Sequence, residues 1–176
     1  YVCTAFTHAE RAPLPPLIIG GSYGLSSKDV DHAQIRDVFD ELRRPVPKIR
    51  FTVGIEDDVT FRSLPSGGPL DIADDAISCK FWGLGSDGTV GANKNTVDII
   101  NRATPLFAQA YFEFDAKKSY GITKSHLRFS EKSIRSSCFV RRADVVACHN
   151  PTYIGRYAMA EELKPGGSFL LNCGWD

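Results

Sequence analysis

Residues 77–95 read ISCKFWGLGSDGTVGANKN, and this stretch decides the fold of the second half of the chain. Its apolar start, residues 77–82, predicts a buried β-strand, and residues 89–102 continue with the spacing of a helix. Between them, three glycines form a GxGxxG pattern: Gly83, Gly85 and Gly88. Glycines let a ligand approach the backbone, and the unpaired N–H groups at a helix start favour an anion. The stretch therefore predicts a phosphate-binding turn, although glycines at such a turn also serve packing alone.

A basic pair, Lys117 and Lys118, follows the next predicted strand at residues 107–114. In a doubly wound sheet, ligands bind beyond the carboxyl ends of the strands, so we expect this pair near the glycine turn. Two cations suit a phosphorylated ribose, as in NADP or coenzyme A, whereas the preceding Asp115 keeps an NAD site open. Lysines that merely solubilise a loop are the alternative.

Strands and helices alternate after this pair. A third strand, residues 144–148, leads through His149-Asn150-Pro151 into a predicted helix that ends at residues 164–167. Residues 168–173 then predict a fourth strand. This alternation predicts an α/β fold with a mainly parallel, doubly wound (Rossmann-like) sheet.

The chain is expected to contain parts of two domains. Residues 1–47 predict the C-terminal remnant of a preceding α/β domain, with a strand at residues 17–19 and a helix capped by Asp31. The helix carries apolar residues at helical spacing: Ile35, Val38, Phe39 and Leu42. Residues 48–75, rich in proline and glycine, predict a connector with a boundary near Asp74, and residues 76–176 a partial domain. Because the chain starts without Met, we expect a piece of a longer polypeptide.

Composition excludes several classes of function. The 176 residues carry 21 basic and 21 acidic side chains, so the net charge of zero offers no footprint for nucleic acid or anionic lipid. No apolar run is long enough to span a bilayer. The five cysteines include no CxxC pair, which disfavours a resident iron–sulfur cluster or zinc and favours free thiols in a reducing compartment. The acidic residues 56–58 are expected to be solvated, the histidines form no interpretable triad, and we predict neither a metal site nor catalytic residues.

Five segments resemble signature stretches of the pyruvate:ferredoxin (flavodoxin) oxidoreductases. They occur in the order of that family: FTVGIEDDVTFRSLP, CKFWGLGSDGTVGANKN, AQAYFEFDAKKSYGITKSHLRFS, DVVACHNP and LKPGGSFLLNC. The resemblance covers most of the chain and is more specific than the glycine pattern alone.

The resemblance implies that this chain is the end of one domain, a connector and the front of the gamma domain, which is the coenzyme A-binding part of such enzymes. It implies these contacts to coenzyme A: Gly85, Ser86, Asp87, Gly88 and Thr89, with Lys117 or Lys118. It further implies an enzyme that converts pyruvate to acetyl-CoA with thiamine diphosphate, Mg²⁺ and 4Fe–4S clusters, all bound outside this piece. The piece alone is then expected to be inactive. Ferredoxin or flavodoxin is the implied electron acceptor, and the implied parent is a homodimer in the cytoplasm, or in an organelle of an anaerobic eukaryote.

Two alternatives remain at this point. The same module occurs in fusions with an NADPH-linked reductase, and the glycine pattern followed by basic residues also suits NADP. A non-catalytic scaffold domain, as in a sulfite reductase flavoprotein, is the second alternative, and the intact GSDGT and KKS segments count against it.

Overall fold

The computed structural model describes residues 16–24, 30–55, 59–68, 70, 75–115 and 120–175. The chain divides into two compact units, Tyr1–Asp71 and Ile72–Asp176. The predicted lysine pair, the acidic residues 56–58 and the predicted boundary near Asp74 lie outside the described residues. The assignment of the chain to the end of one domain, a connector and the start of another stays a prediction.

The first unit holds two short parallel strands and one helix: β1 (Gly20–Ser22), α1 (His32–Leu42) and β2 (Arg50–Thr52). The predicted N-cap is confirmed, because the carboxylate of Asp31 accepts a hydrogen bond from the backbone N–H of Gln34 at 2.8 Å. The face of α1 that is buried is largely polar and consists of Ala33, Asp37 and Glu41. Asp37 accepts from the N–H of Gly67 and Glu41 from that of Lys48, so hydrogen bonds rather than apolar packing hold this face.

The second unit contains one helix and a five-stranded sheet. Its elements are β3 (Ile77–Leu84), α2 (Thr89–Ala103), β4 (Phe107–Phe114), β5 (Ile122–Ser130), β6 (Ala143–Cys148) and β7 (Leu163–Leu171). The predicted β3, α2, β4 and β6 agree with the structure to within two residues at each end. No sequence pattern predicted β5.

The strand order in the sheet is β4-β5-β3-β6-β7. The pairs β3–β6 and β6–β7 are parallel, whereas β5 is antiparallel to both β3 and β4. Four of the five strands therefore point the same way, and the predicted α/β class with a parallel-rich sheet is confirmed. Because β5 lies between β3 and β4, the predicted βαβ unit does not join neighbouring strands.

The prediction of a helix after Pro151 is wrong. Two short 3₁₀ turns, Pro151–Tyr153 and Met159–Glu162, take its place. Gly155 lies between them with φ +75°, a left-handed conformation that interrupts a right-handed helix. The following strand, β7, begins at Leu163 rather than at residue 168, and its pairing with β6 shifts register where Gly166 has φ +80°.

The sheet is covered differently on its two faces. Helix α2 packs on β4, β5 and β3. A cluster of buried apolar residues includes side chains from β3, β6 and the 3₁₀ turns: Trp82, Val140, Ala143, Val146, Cys148, Tyr153 and Met159. These layers fix the position of the loop between β3 and α2.

Candidate functional site

The carboxyl ends of β3 and β6 form a switch point in the sheet. The chain leaves β3 through α2 toward β4 on one side, and it leaves β6 toward β7 on the other side. In open α/β sheets, ligands bind outside the carboxyl ends of two adjacent parallel strands whose connections diverge in this way. The loop at residues 85–88 follows β3, and His149 and Asn150 follow β6, so these two loops border the expected crevice.

Backbone geometry explains the two glycines inside the first loop. The N–H of Gly85 donates to the carbonyl of Gly121 at 2.7 Å, and a Cβ on Gly85 would lie 3.3 Å from that carbonyl oxygen. Gly88 is the N-cap of α2 and has φ +87°, a conformation that strongly favours glycine. Ser86 also has a positive φ, +76°, although it carries a side chain. A non-glycine residue in this conformation is strained, and such strain concentrates at functional loops.

The carboxylate of Asp87 bridges the two ends of the loop by hydrogen bonds. One oxygen accepts from the N–H of Leu84 at 2.7 Å, and the other accepts from the N–H of Thr89 at 2.8 Å. Burial raises the pKa of Asp87, but these hydrogen bonds and the nearby His149 outweigh that effect and leave the pKa below its usual value. Asp87 is therefore ionised at neutral pH.

Gly83 makes room for this arrangement at the end of β3. A Cβ at this position would lie 2.9 Å from the Asp87 carboxylate and 2.9 Å from the Cβ of Thr89. All three glycines of the GxGxxG pattern thus have a structural reason within the protein. The pattern alone does not separate a packing turn from a ligand turn.

A cavity of about 270 Å³ opens beside the loop and is lined by Leu84, Gly85, Ser86, Asp87 and Tyr120. Four of the predicted contacts thus lie together at the start of α2: the lining residues Gly85, Ser86 and Asp87, and the N-cap Gly88. Thr89 is buried behind them as the first residue of the helix.

Lys117 and Lys118, the remaining predicted contacts, lie outside the described residues. The residues on either side of them do reach this edge of the sheet, since the N–H of Asp115 donates to the carbonyl of Ile122 and Tyr120 lines the cavity. Of the described residues around the pair, Tyr120 is the one that lines the cavity.

The second loop is tied to the end of β3, from which the first loop starts. The N–H of His149 donates to the carbonyl of Trp82 at 2.9 Å, and its ring stacks on Phe81 at 6.1 Å between centroids. Asn150 caps the following 3₁₀ turn by accepting from the N–H of Thr152. The hydroxyl of Tyr153 donates to the carbonyl of Gly83 at 3.3 Å. Both walls of the crevice are thus anchored to β3.

Comparison with known proteins decides the family. Residues 78–176, more than half of the chain, match the sequence profile of the family described as Pyruvate ferredoxin/flavodoxin oxidoreductase. The chain belongs to this family. The resemblance carried by the five signature stretches is confirmed.

Similar proteins are much longer than this chain. The Pyruvate-flavodoxin oxidoreductase of Klebsiella pneumoniae is 53% identical over 176 residues, which are 99% of this chain and 15% of that protein. The Pyruvate dehydrogenase (NADP+) of Cryptosporidium parvum is 45% identical over 99% of this chain and 9% of that protein. The PORC subunit of the pyruvate oxidoreductase from Thermotoga maritima superposes on this chain with a TM-score of 0.48 at 20% identity. The superposition covers 57% of this chain and 52% of that subunit.

A second group of charged side chains lies on one face of the sheet and is here called the charged cluster. It consists of Lys80, Glu113, Lys124, His126 and Glu162. The ammonium of Lys80 and the indole N–H of Trp82 both donate to the carboxylate of Glu162, the latter at 2.9 Å. Lys124 donates to Glu113 at 3.0 Å. No sequence motif predicted this cluster.

Electrostatic coupling in the charged cluster is strong. The neighbouring His126 and Lys124 lower the pKa of Glu113 to about 2, although burial opposes the shift. His126 is only 1% exposed, and burial lowers its pKa. Its Nδ1 accepts from the N–H of Val140 at 3.2 Å, and its Nε2 lies 3.5 Å from Glu113. The hydrogen bond from Val140 joins the segment before β6 to the sheet.

Metal ligation and membrane insertion find no support in the described parts of the chain. No group of three or more His, Cys, Asp or Glu side chains there could hold a metal ion. No described helix is long and apolar enough to cross a membrane. Four cysteines in these parts are free thiols: Cys79, Cys138, Cys148 and Cys173.

Proposed function

We propose that this chain is the coenzyme A-binding module of a pyruvate:ferredoxin (flavodoxin) oxidoreductase. In this proposal it forms the front of the gamma domain together with the end of the preceding domain. The full-length enzyme oxidatively decarboxylates pyruvate to acetyl-CoA and CO₂ and passes the electrons to ferredoxin or flavodoxin. The observation that carries the proposal is the position of residues 85–88 at the switch point of the sheet, in a chain that belongs to this family.

Coenzyme A carries several phosphate groups, and the loop offers groups that bind phosphate. The start of α2 presents backbone N–H groups without intrahelical partners and the positive end of the helix dipole. Ser86 adds a hydroxyl beside the cavity. A lysine at 117 or 118 supplies the cation for the phosphate on the ribose, because the pair closely precedes Tyr120 in the sequence and Tyr120 lines the cavity.

Catalysis requires the rest of the enzyme in this proposal. We place the 4Fe–4S clusters outside this chain, since its five cysteines contain no CxxC pair, and we place thiamine diphosphate and Mg²⁺ outside it as the family resemblance implies. The chain alone then binds coenzyme A without turning over pyruvate. Free thiols favour the reducing cytoplasm as the location, and we take the full-length enzyme to be a homodimer.

An NADP-linked enzyme is the second candidate. The Cryptosporidium parvum relative named for NADP matches nearly the whole chain at 45% identity. In such a fusion this module keeps the same role, and the electrons reach NADP elsewhere in the protein. A module that itself binds NADP is the variant of this candidate that a titration can separate.

Calorimetric titration of the chain with coenzyme A, dephospho-coenzyme A and NADP tests the proposal. Coenzyme A is expected to bind more tightly than dephospho-coenzyme A. Either Lys117→Ala or Lys118→Ala is expected to weaken coenzyme A by about ten-fold to a hundred-fold, because a charged hydrogen bond contributes about 1.5 to 3 kcal/mol. Lys132→Ala is the matched control. Lys132 follows the carboxyl end of antiparallel β5, at the end of the strands opposite to the glycine loop, and pairs with Asp75.

The alternatives predict other outcomes of the same titration. Binding of NADP in preference to coenzyme A would support the nucleotide-binding candidate. Heat from none of the three ligands would favour a scaffold domain and contradict the proposed module.

A further inference from the structure

We infer that Asp87 is a positioning residue: its carboxylate holds the loop in the shape that presents Ser86 and Gly88 to a phosphate, and it does not itself contact the ligand. This inference rests on the coenzyme A-binding function proposed above. It assigns Asp87 a role different from that of the other loop residues predicted as contacts.

The hydrogen bonds of Asp87 run from one end of the loop to the other. Its carboxylate accepts from the N–H of Leu84, the last residue of β3, and from the N–H of Thr89, the first residue of α2. Its own N–H donates to the carbonyl of Leu84 at 3.0 Å. The side chain thus joins strand to helix across the turn, with Ser86 and Gly88 on either side of it.

An ionised carboxylate is a poor phosphate contact. It offers acceptors only, and its negative charge repels a phosphate oxygen. The N–H groups of Leu84 and Thr89 are already taken by Asp87, so they are not available to a ligand. Within the loop this leaves the Ser86 hydroxyl and the backbone around Gly88 to recognise the ligand.

Two neighbours of Asp87 fit a positioning role. Gly83 lacks the Cβ that would lie 2.9 Å from the Asp87 carboxylate, so the first glycine of the pattern leaves space for this side chain. Ser86 has φ +76°, a conformation that persists in a non-glycine residue only where the surroundings hold it. The bonds from Asp87 to residues on both sides of Ser86 provide that restraint.

The sign of the change distinguishes positioning from contact: a displaced loop weakens both coenzyme A and dephospho-coenzyme A, whereas removal of a carboxylate that faced a phosphate would tighten their binding. Asp87→Ala is expected to weaken both by the same factor, on the order of ten-fold, and Asp87→Asn, which keeps one acceptor oxygen, by less. The titration is made where circular dichroism shows each variant folded. Asp98→Ala is the matched control, since Asp98 lies on the same helix, is exposed and pairs with Arg102 at 2.9 Å; its affinity for both ligands should equal that of the wild type.

Hydrogen exchange read by NMR supplies a second measurement that needs no ligand. Exchange of the Leu84 and Thr89 amides is expected to accelerate in Asp87→Ala. Unchanged exchange at both amides would overturn the inference, as would unchanged or tighter coenzyme A binding, or a changed ratio of the two affinities. If the wild type bound neither ligand, the proposed function would fail, while faster exchange in Asp87→Ala would still support the loop-holding role.

Discussion

The absence of a side chain at Gly83 lets the end of β3, the loop and the start of α2 pack closely together. The nearest atoms to an added Cβ belong to Asp87 and Thr89, each 2.9 Å away, so an alanine forces the loop or the helix start to move. Gly83→Ala is therefore expected to destabilise the second unit by roughly 1 to 3 kcal/mol, the range of overpacking substitutions.

The matched control for this prediction is a glycine whose replacement is expected to raise the free energy of unfolding rather than lower it. Gly91 lies in α2, and a Cβ added there would meet open space, so Gly91→Ala is expected to stabilise by up to about 1 kcal/mol through helix propensity. Urea unfolding followed by circular dichroism measures both variants. Equal midpoints for Gly83→Ala and the wild type would contradict the packing role of Gly83.

Sequence pattern located part of the candidate site at the residue scale. The position of residues 85–89 followed from local spacing, because a glycine turn between a strand and a helix is a local feature. Tyr120, which lines the cavity, and Gly121, which pairs with Gly85, carry no such signal, since their contacts depend on how β5 returns to β3. The directions of the Asp87 hydrogen bonds likewise depend on the three-dimensional path of the loop.

At the scale of elements, β5 is the strand that pattern could not find. It reads ITKSHLRFS, and it lies inside the sheet between β4 and β3 although it contains Lys124, His126 and Arg128. The partners that make burial of these charges tolerable come from β4 and from residues 138–140, which local periodicity does not contain. The 3₁₀ turns after Pro151 were missed for a related reason, because a positive φ at Gly155 ends a pattern that otherwise allows a helix.

Glu162 fastens the second 3₁₀ turn to β3. Its carboxylate accepts from Lys80, whose side chain is only 7% exposed, and from the indole N–H of Trp82. Glu162→Gln leaves a buried ammonium without its anion, so we expect a loss of ~2 kcal/mol in the free energy of unfolding and a changed near-ultraviolet circular dichroism signal from Trp82. Glu161→Gln, the exposed neighbour in the same turn, is the control and should leave both quantities unchanged. Equal losses in the two variants would contradict a specific role for Glu162.

The whole molecule has a net charge of zero, and two of its ion pairs lie together in the charged cluster. Four strands of the sheet point the same way, so their carboxyl ends meet at the edge where the glycine loop lies. Global composition gave no sign that one face of the sheet holds the charged cluster. In the proposed function ligand binding depends on the loop, whereas we expect acid stability to depend on the charged cluster.

Acid titration of the second unit follows from the sign of two pKa shifts. Glu113 has a pKa of about 2 in the folded chain against an ordinary 4.5, and burial lowers the pKa of His126 from its ordinary 6.5. In both cases the unfolded chain binds protons first as the pH falls, so stability is full above pH 6.5. It declines first through His126 and then, below pH 4.5, through Glu113.

Because Glu113 is partly exposed, we expect its contribution to the free energy of unfolding to be on the order of 1 to 2 kcal/mol after solvent screening. Glu113→Gln should therefore lower stability at neutral pH and flatten its decline between pH 4.5 and about 2, as measured by urea unfolding at each pH, with Glu161→Gln as the matched exposed carboxylate. A Glu113→Gln curve that ran parallel to the wild type through this range would show that the charged cluster does not set the acid limit.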